Sequence, residues 1–170
     1  PDNARLLAAR GMARLQSDPK AAEADFQAAI KRQPEIAIAH YGLARVYYKT
    51  DRPRALENVE RALLIDPRNL DALQLRAILR AHLGRPEALA DVDRLIQAPT
   101  PHRLYNAACV LSILSQTHRD PQLKSRALHL LRRALDTGFP RAGIAEDEDL
   151  KPLRLHPDFD VLLEKEPVSP

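Results

Sequence analysis

There is no tryptophan in this chain, and aromatic residues make up only 4% of its 170 positions. A core built on stacked aromatic rings is excluded, so packing must rest on small and aliphatic side chains. A single cysteine, Cys109, permits no internal disulfide, and its place in a small-residue segment marks it as a buried packing residue rather than a nucleophile. With five glycines there is no Gly-rich phosphate loop, and Gly-x-Ser-x-Gly, His-Glu-x-x-His, HRD-type and DFG-type motifs are absent too. The six histidines, at 40, 82, 102, 118, 129 and 156, show no metal-ligand spacing with a carboxylate or thiolate partner. The acidic run Glu146–Asp149 lacks the alternating ligands and central glycine of a calcium loop and reads as a solvated cap. No apolar run reaches the roughly 18 residues of a membrane span, and no signal peptide is visible. These absences lead us to expect no enzyme, no catalytic residue, no cofactor and no metal.

Charge excludes a further class. Residues 1–85 carry about +5 and residues 86–170 about −2, with both signs interleaved throughout. That is not the dense basic stripe of a nucleic-acid binder. A ligand of the N-terminal half should be neutral to acidic.

What the chain does have is a period of 33 residues. Gly11, Ala44 and Ala77 stand one period apart, as do Ala22, Ala55 and Ala88, then Phe26, Val59 and Val92, then Ile30, Leu63 and Ile96. Pro34 and Pro67 close the first two units. A fixed period of this length marks a stacked-repeat protein with a long concave surface. The abundance of Ala, Leu and Arg favours helix. Fourteen prolines would ordinarily argue against it. Here Pro19, Pro53, Pro86 and Pro121 stand where the second helix of each hairpin should begin, with Asp18 and Asp120 as N-caps before two of them. The expected hairpins are 4–16 with 19–32, 36–49 with 53–65, 70–83 with 86–97, and an irregular fourth, 102–116 with 121–136. Gly138 reads as a helix stop. A loop over 145–150 entering a short helix, and a last helix from Pro157, make up the tail.

Arg10-Gly11-Met12-Ala13, then Ala22-x-x-x-Phe26-x-x-Ala29-Ile30 and Pro34, resembles the tetratricopeptide repeat, a helix-turn-helix unit of about 34 residues. Tyr47, Ala55, Ala62 and Asp66-Pro67-Arg68-Asn69 repeat the pattern. The departures are a turn one residue short, His40 or Leu73 where the family often has Trp, and no closing proline in register in the third unit. Tyr105-Asn106-Ala107-Ala108-Cys109, Gly138-Phe139, Asp149-Leu150-x-Pro152-Leu153 and His156-Pro157-x-Phe159 look like the closing segment of tetratricopeptide regions in large bacterial proteins, many of them Ser/Thr kinases. The resemblance implies an all-α fold, an α-solenoid of about four TPR-like hairpins over 1–138 (4–36, 37–69, 70–101 and 102–138) with a C-terminal helical cap and tail over 139–170. It implies a protein-protein interaction module; the alternative is a regulatory or self-assembly tail of a larger multidomain enzyme such as a bacterial kinase.

In this family the first helices line the concave face. The groove positions on them are Arg5, Ala8 and Met12, then Ile38, Tyr41, Arg45 and Tyr48, then Gln74, Ile78 and His82. Tyr and Arg anchor interfaces more often than other residues, and Tyr41, Arg45 and Tyr48 share a helical face, so they form the candidate patch. The alternative is that Tyr48 packs between units and Arg45 is a solvated surface residue. The clamp that holds a terminal carboxylate in chaperone-binding members would fall near Ala8, Met12, Gly42, Asp71 and Leu75, and none matches. A start at Pro1 without Met, with Leu6, Leu7 and Ile30 on an apolar open end, reads as a fragment of a longer chain able to self-associate through that end; the visible sequence favours the cytoplasm, and a signal or membrane span upstream stays open.

Overall fold

Asp18, Asp51 and Asp120 start three helices in one way. Each side chain accepts a hydrogen bond from the backbone N–H two or three residues on: Ala21 at 3.0 Å, Arg54 at 3.1 Å and Gln122 at 2.9 Å. Each is followed within two residues by Pro19, Pro53 or Pro121, whose missing N–H costs nothing in a first turn. Thr100 does the same for the helix at Pro101. In the computed structural model, which describes residues 2–118 and 120–164 (of Asp2 only the backbone), these signals set out an all-helical chain. The elements are α1 (Asp2–Arg14), α2 (Pro19–Arg32), α3 (Ala37–Tyr47), α4 (Arg52–Ile65), α5 (Leu70–His82), α6 (Ala88–Leu95), α7 (Pro101–Thr117), α8 (Pro121–Asp136), a 3-10 helix (Glu148–Leu153) and α9 (Pro157–Glu164). No strand occurs among the described residues, and no helix there is long and apolar enough to cross a membrane. The part of the expected tail over 165–170 lies outside the described residues.

One helix starts late. Position 84 is one period after Asp51, yet it holds glycine. Gly84 adopts φ +67° and closes α5 in a Schellman turn, with Arg85 N–H on the Arg80 carbonyl at 2.8 Å and Gly84 N–H on that of Ala81 at 2.9 Å. Without a capping aspartate, α6 begins at Ala88 with no side-chain cap. Pro86 therefore sits in the turn and not at the helix start as expected. Gly138, φ +100°, closes α8 by the same two bonds, from Phe139 to Ala134 and from Gly138 to Leu135, as the sequence indicates.

The chain divides into two compact units, residues 1–79 and 80–170. In the first, α1 packs on α2, α3 on α4, and α3 also meets both α1 and α2. Its centre is Phe26, fully buried on α2. The ring lies against two glycines, Gly11 of α1 and Gly42 of α3; a methyl group at Gly11 would come within 2.6 Å of it, and one at Gly42 would overlap it outright. Ala22, Ala29, Ala44, Ala55 and Ala62 of the same unit are buried as well. Ala8 corrects the expected groove. It is fully buried, because Ala4, Ala8, Gly11 and Leu15, spaced four, three and four, form the packing row of α1.

Inside the first hairpin Arg10 and Arg14 reach across to Asp25, with Arg10 Nε 2.9 Å and Arg14 Nη1 3.1 Å from Asp25 Oδ2. Two periods later Arg80 holds Asp91 at 2.9 Å in the second unit. The intervening positions are Tyr47 and Asn58. There Tyr47 donates to Glu23, and the Arg54 guanidinium lies 3.9 Å above its ring. The Arg10 hydrogen bond, opposed by burial, holds the Asp25 carboxyl below its ordinary value. Such a group takes up its proton later than in the unfolded chain. Its stabilising share is therefore full above the unfolded value near ~3.9 and is lost as pH falls through the lower folded value. Thermal unfolding between neutral pH and about pH 3 should show Asp25→Asn losing stability less steeply than the parent as acid is added. An unchanged acid limb would show that this pair carries none of it.

In the second unit α7 packs on α8 and α6, and the tail folds back: the 3-10 helix meets α7 and α8, and α9 meets α8. Leu111, Leu114, Leu131, Ile144, Leu150, Leu153 and Phe159 are all essentially inaccessible. Arg141 donates to the Leu162 carbonyl at 2.7 Å, tying the end of α9.

Candidate binding surface

Spacings of three and four put Ile38, Tyr41 and Arg45 in a row along α3. Ile38 is 44% exposed, Tyr41 half-buried and Arg45 exposed. The guanidinium carbon of Arg45 stands 5.9 Å from the Tyr41 ring centroid, at the outer limit of a cation–π contact. Burial pushes the Tyr41 phenol up, Arg45 pulls against it and Asp71 adds to it. Tyr41 is thus a neutral hydrogen-bonding group throughout the physiological range. Tyr48, Gln74 and Ile78 are half-buried, as is Met12 on α1, and Arg5 is exposed. In the first unit, then, Arg45 stands near the Tyr41 ring.

His82 belongs to the second unit and is engaged there. Its Nε2 lies 3.3 Å from Asp149 Oδ1 on the 3-10 helix. Around that pair is a cluster that sequence reasoning missed. Tyr105 of α7 donates to Asp147 Oδ2, whose other oxygen accepts from Asp149 N–H at 2.9 Å and so caps the 3-10 helix. Phe139 stacks on the Tyr105 ring at 4.0 Å, with His102 edge-on to Phe139 at 5.2 Å. Arg154 donates to the Asp147 carbonyl at 3.1 Å. Burial, and then the bond to Asp147, drives the Tyr105 phenol far above its ordinary range. Burial likewise raises the Cys109 thiol, with Asp147 and Asp149 adding to it. A thiol and a phenol both held protonated are neither nucleophile nor base. What the cluster does is fasten the tail to α7. Tyr105, Cys109, Phe139 and Asp149 of this group sit in motifs legible beforehand, but that they meet was not; the carboxylates reach Tyr105 from about forty residues away.

The surface depressions are open. One of about 720 Å³ in the first unit is lined by His40, Arg54, Glu57, Asn58, Arg61 and Leu64. Another of about 460 Å³ in the second unit runs along Ser115, His118, Lys124 and His156. Among the described residues no three His, Cys, Asp or Glu side chains gather as metal ligands would. No protein-family model matches this chain, and a search of curated proteins finds no match.

Proposed function

We propose that the chain is a TPR-like α-solenoid of about four hairpins over residues 1–138, covered by the segment from 139 on, and that it acts as a protein-protein interaction module rather than as a catalyst. Its ligand is a protein segment or peptide of neutral to acidic character. Tyr41, Arg45 and Tyr48 form the centre of the binding surface, and Arg5, Met12, Gln74 and Ile78 of the same unit its surround. The observation that carries this reading is the row on α3: a half-buried aromatic ring with a guanidinium near it and an exposed isoleucine one turn before. Tyrosine offers a large contact area at small entropic cost, and arginine adds charge-assisted bonds to carboxylates or carbonyls. Support for the stack comes from the 33-residue register, whose small positions Gly11, Ala44 and Ala77 are all buried. The second reading, a regulatory or self-assembly tail of a larger protein, draws on the exposed Leu6, Ala9 and Ala13 of α1.

The test compares proteins captured by the parent chain, read by mass spectrometry, with those captured by Arg45→Glu and Arg61→Glu. Arg45→Glu should lower recovery of the specific partners about tenfold or more, the size of effect expected at an anchoring arginine. Arg61→Glu on α4 should change it little, and circular dichroism should show both variants folded. Equal recovery by all three would remove the α3 surface from the proposal.

A further inference from the structure

Arg133, in the last turn of α8, is half-buried. Its guanidinium makes no hydrogen bond or ion pair with any other described residue, Asp136 in the next turn included. An arginine withdrawn from water is ordinarily paired, because a charge that loses part of its hydration needs compensation. Here the planar fork of N–H donors is left unused.

Arg133 lines a cleft of about 190 Å³ between the start of α7 and the end of α8, both in the second unit. Pro99, Pro101 and the buried Leu104 give the cleft an apolar lining. Two hydroxyls line it as well, with opposite capacities. Thr137 already donates, to the Arg133 and Ala134 carbonyls at 2.8 and 3.1 Å, and so can only accept. Thr100 accepts from the Arg103 N–H at 3.2 Å, and its own proton is uncommitted. The free donors of the cleft are therefore the Arg133 guanidinium and the Thr100 hydroxyl. Its one carboxylate, Asp136, is exposed.

We infer that this cleft binds a short aliphatic monocarboxylate, its carboxylate on the Arg133 guanidinium and the Thr100 hydroxyl and its carbon tail against Pro99, Pro101 and Leu104. Guanidinium and carboxylate match as two planar forks, and a hydrogen bond between charged groups is roughly twice as strong as a neutral one. The cleft's volume limits the tail. Pockets that enclose a drug-sized molecule run to about 300–1,000 Å³, so this smaller one has room for only a few carbons. Asp136 sets the selection, because a second carboxylate on the ligand meets a like charge there. Nothing in this site draws on the α3 row, which belongs to the first unit.

Isovalerate is the probe, titrated into the isotope-labelled whole chain and followed by the NMR shifts of its backbone amides. The amides of Thr100, Leu104, Arg133 and Thr137 should move and saturate, with a Kd on the order of 1 mM for so small a ligand. Isovaleramide has the same shape without the charge and should bind about tenfold more weakly or worse, as should glutarate with its second carboxylate. Arg133→Gln should weaken isovalerate about tenfold or more, whereas Arg132→Gln, at the exposed neighbour, should bind as the parent. Asp136→Asn should bring glutarate to within about threefold of isovalerate. Each variant's spectrum reports its fold in the same measurement, and the comparison of isovalerate with isovaleramide needs no variant at all. Shifts that do not saturate, or that lie away from the cleft, would overturn the inference. Isovaleramide bound as tightly as isovalerate would do so too, as would full binding by Arg133→Gln. No gain for glutarate in Asp136→Asn would overturn the selection assigned to Asp136.

Discussion

Phe26→Ala should lower stability by about 3–5 kcal/mol, among the largest losses available to one side chain in the first unit. Phe26 is fully inaccessible, and its ring fills the space between three helices. Gly42→Ala should cost about 1–3 kcal/mol or more by the opposite mechanism, since the new methyl group has nowhere to go while the ring is there. The two effects share one volume. The double variant Phe26→Ala with Gly42→Ala should therefore be more stable than the sum of the single losses predicts, by about 0.5–3 kcal/mol. Urea or thermal unfolding of the four proteins closes the cycle. Additive losses would mean that ring and glycine do not meet. Gly11→Ala should behave as a milder version, with the methyl 2.6 Å from the ring edge.

That contact also shows how much could be read from residue spacing. Gly11, Ala44 and Ala77 mark positions of close approach through the period alone, and the helices begin and end within a few residues of where aspartate, proline and glycine signal. Gly42 was not legible in that way. Its period partners are Ala9 and Leu75, so nothing repeated calls for a glycine there, and the need arises from the ring size of Phe26, where later units have valine. The Asp25 and Asp91 ion pairs left a faint signal, since Arg14 and Arg80 are also two periods apart. The middle unit hides it by substituting Tyr47 and Asn58. Ala8 misleads for a geometric reason: it shares a repeat position with Tyr41, but a methyl group ends inside the packing row where a phenol extends past it. The candidate surface was legible as far as one helix, because a spacing of four fixes neighbours on that helix. The His82–Asp149 and Tyr105–Asp147 pairs are settled by how the tail folds back, and no local rule encodes that.

Removing residues after Gly138 should have the most severe effect of all. Ile144, Leu150, Leu153, Phe159 and Leu162 would leave a core to which they contribute almost fully buried side chains. Burial of each such side chain is worth about 1.5–3 kcal/mol, so the set approaches the whole stability of an ordinary domain, about 5–15 kcal/mol. The truncated chain should lose cooperative unfolding of its second unit, bind a hydrophobic dye and aggregate. Two full-length variants separate loss of packing from loss of chain. Leu150→Ala should cost about 2–5 kcal/mol through its cavity. Tyr105→Phe keeps the ring stacked on Phe139 but leaves Asp147 without its phenol donor, and should cost about 1–3 kcal/mol. If the tail only follows the fold, the truncated chain will melt with the parent and Leu150→Ala will be nearly silent. If it completes the core, the losses will rank truncation, then Leu150→Ala, then Tyr105→Phe, because that is the order in which they remove buried apolar surface.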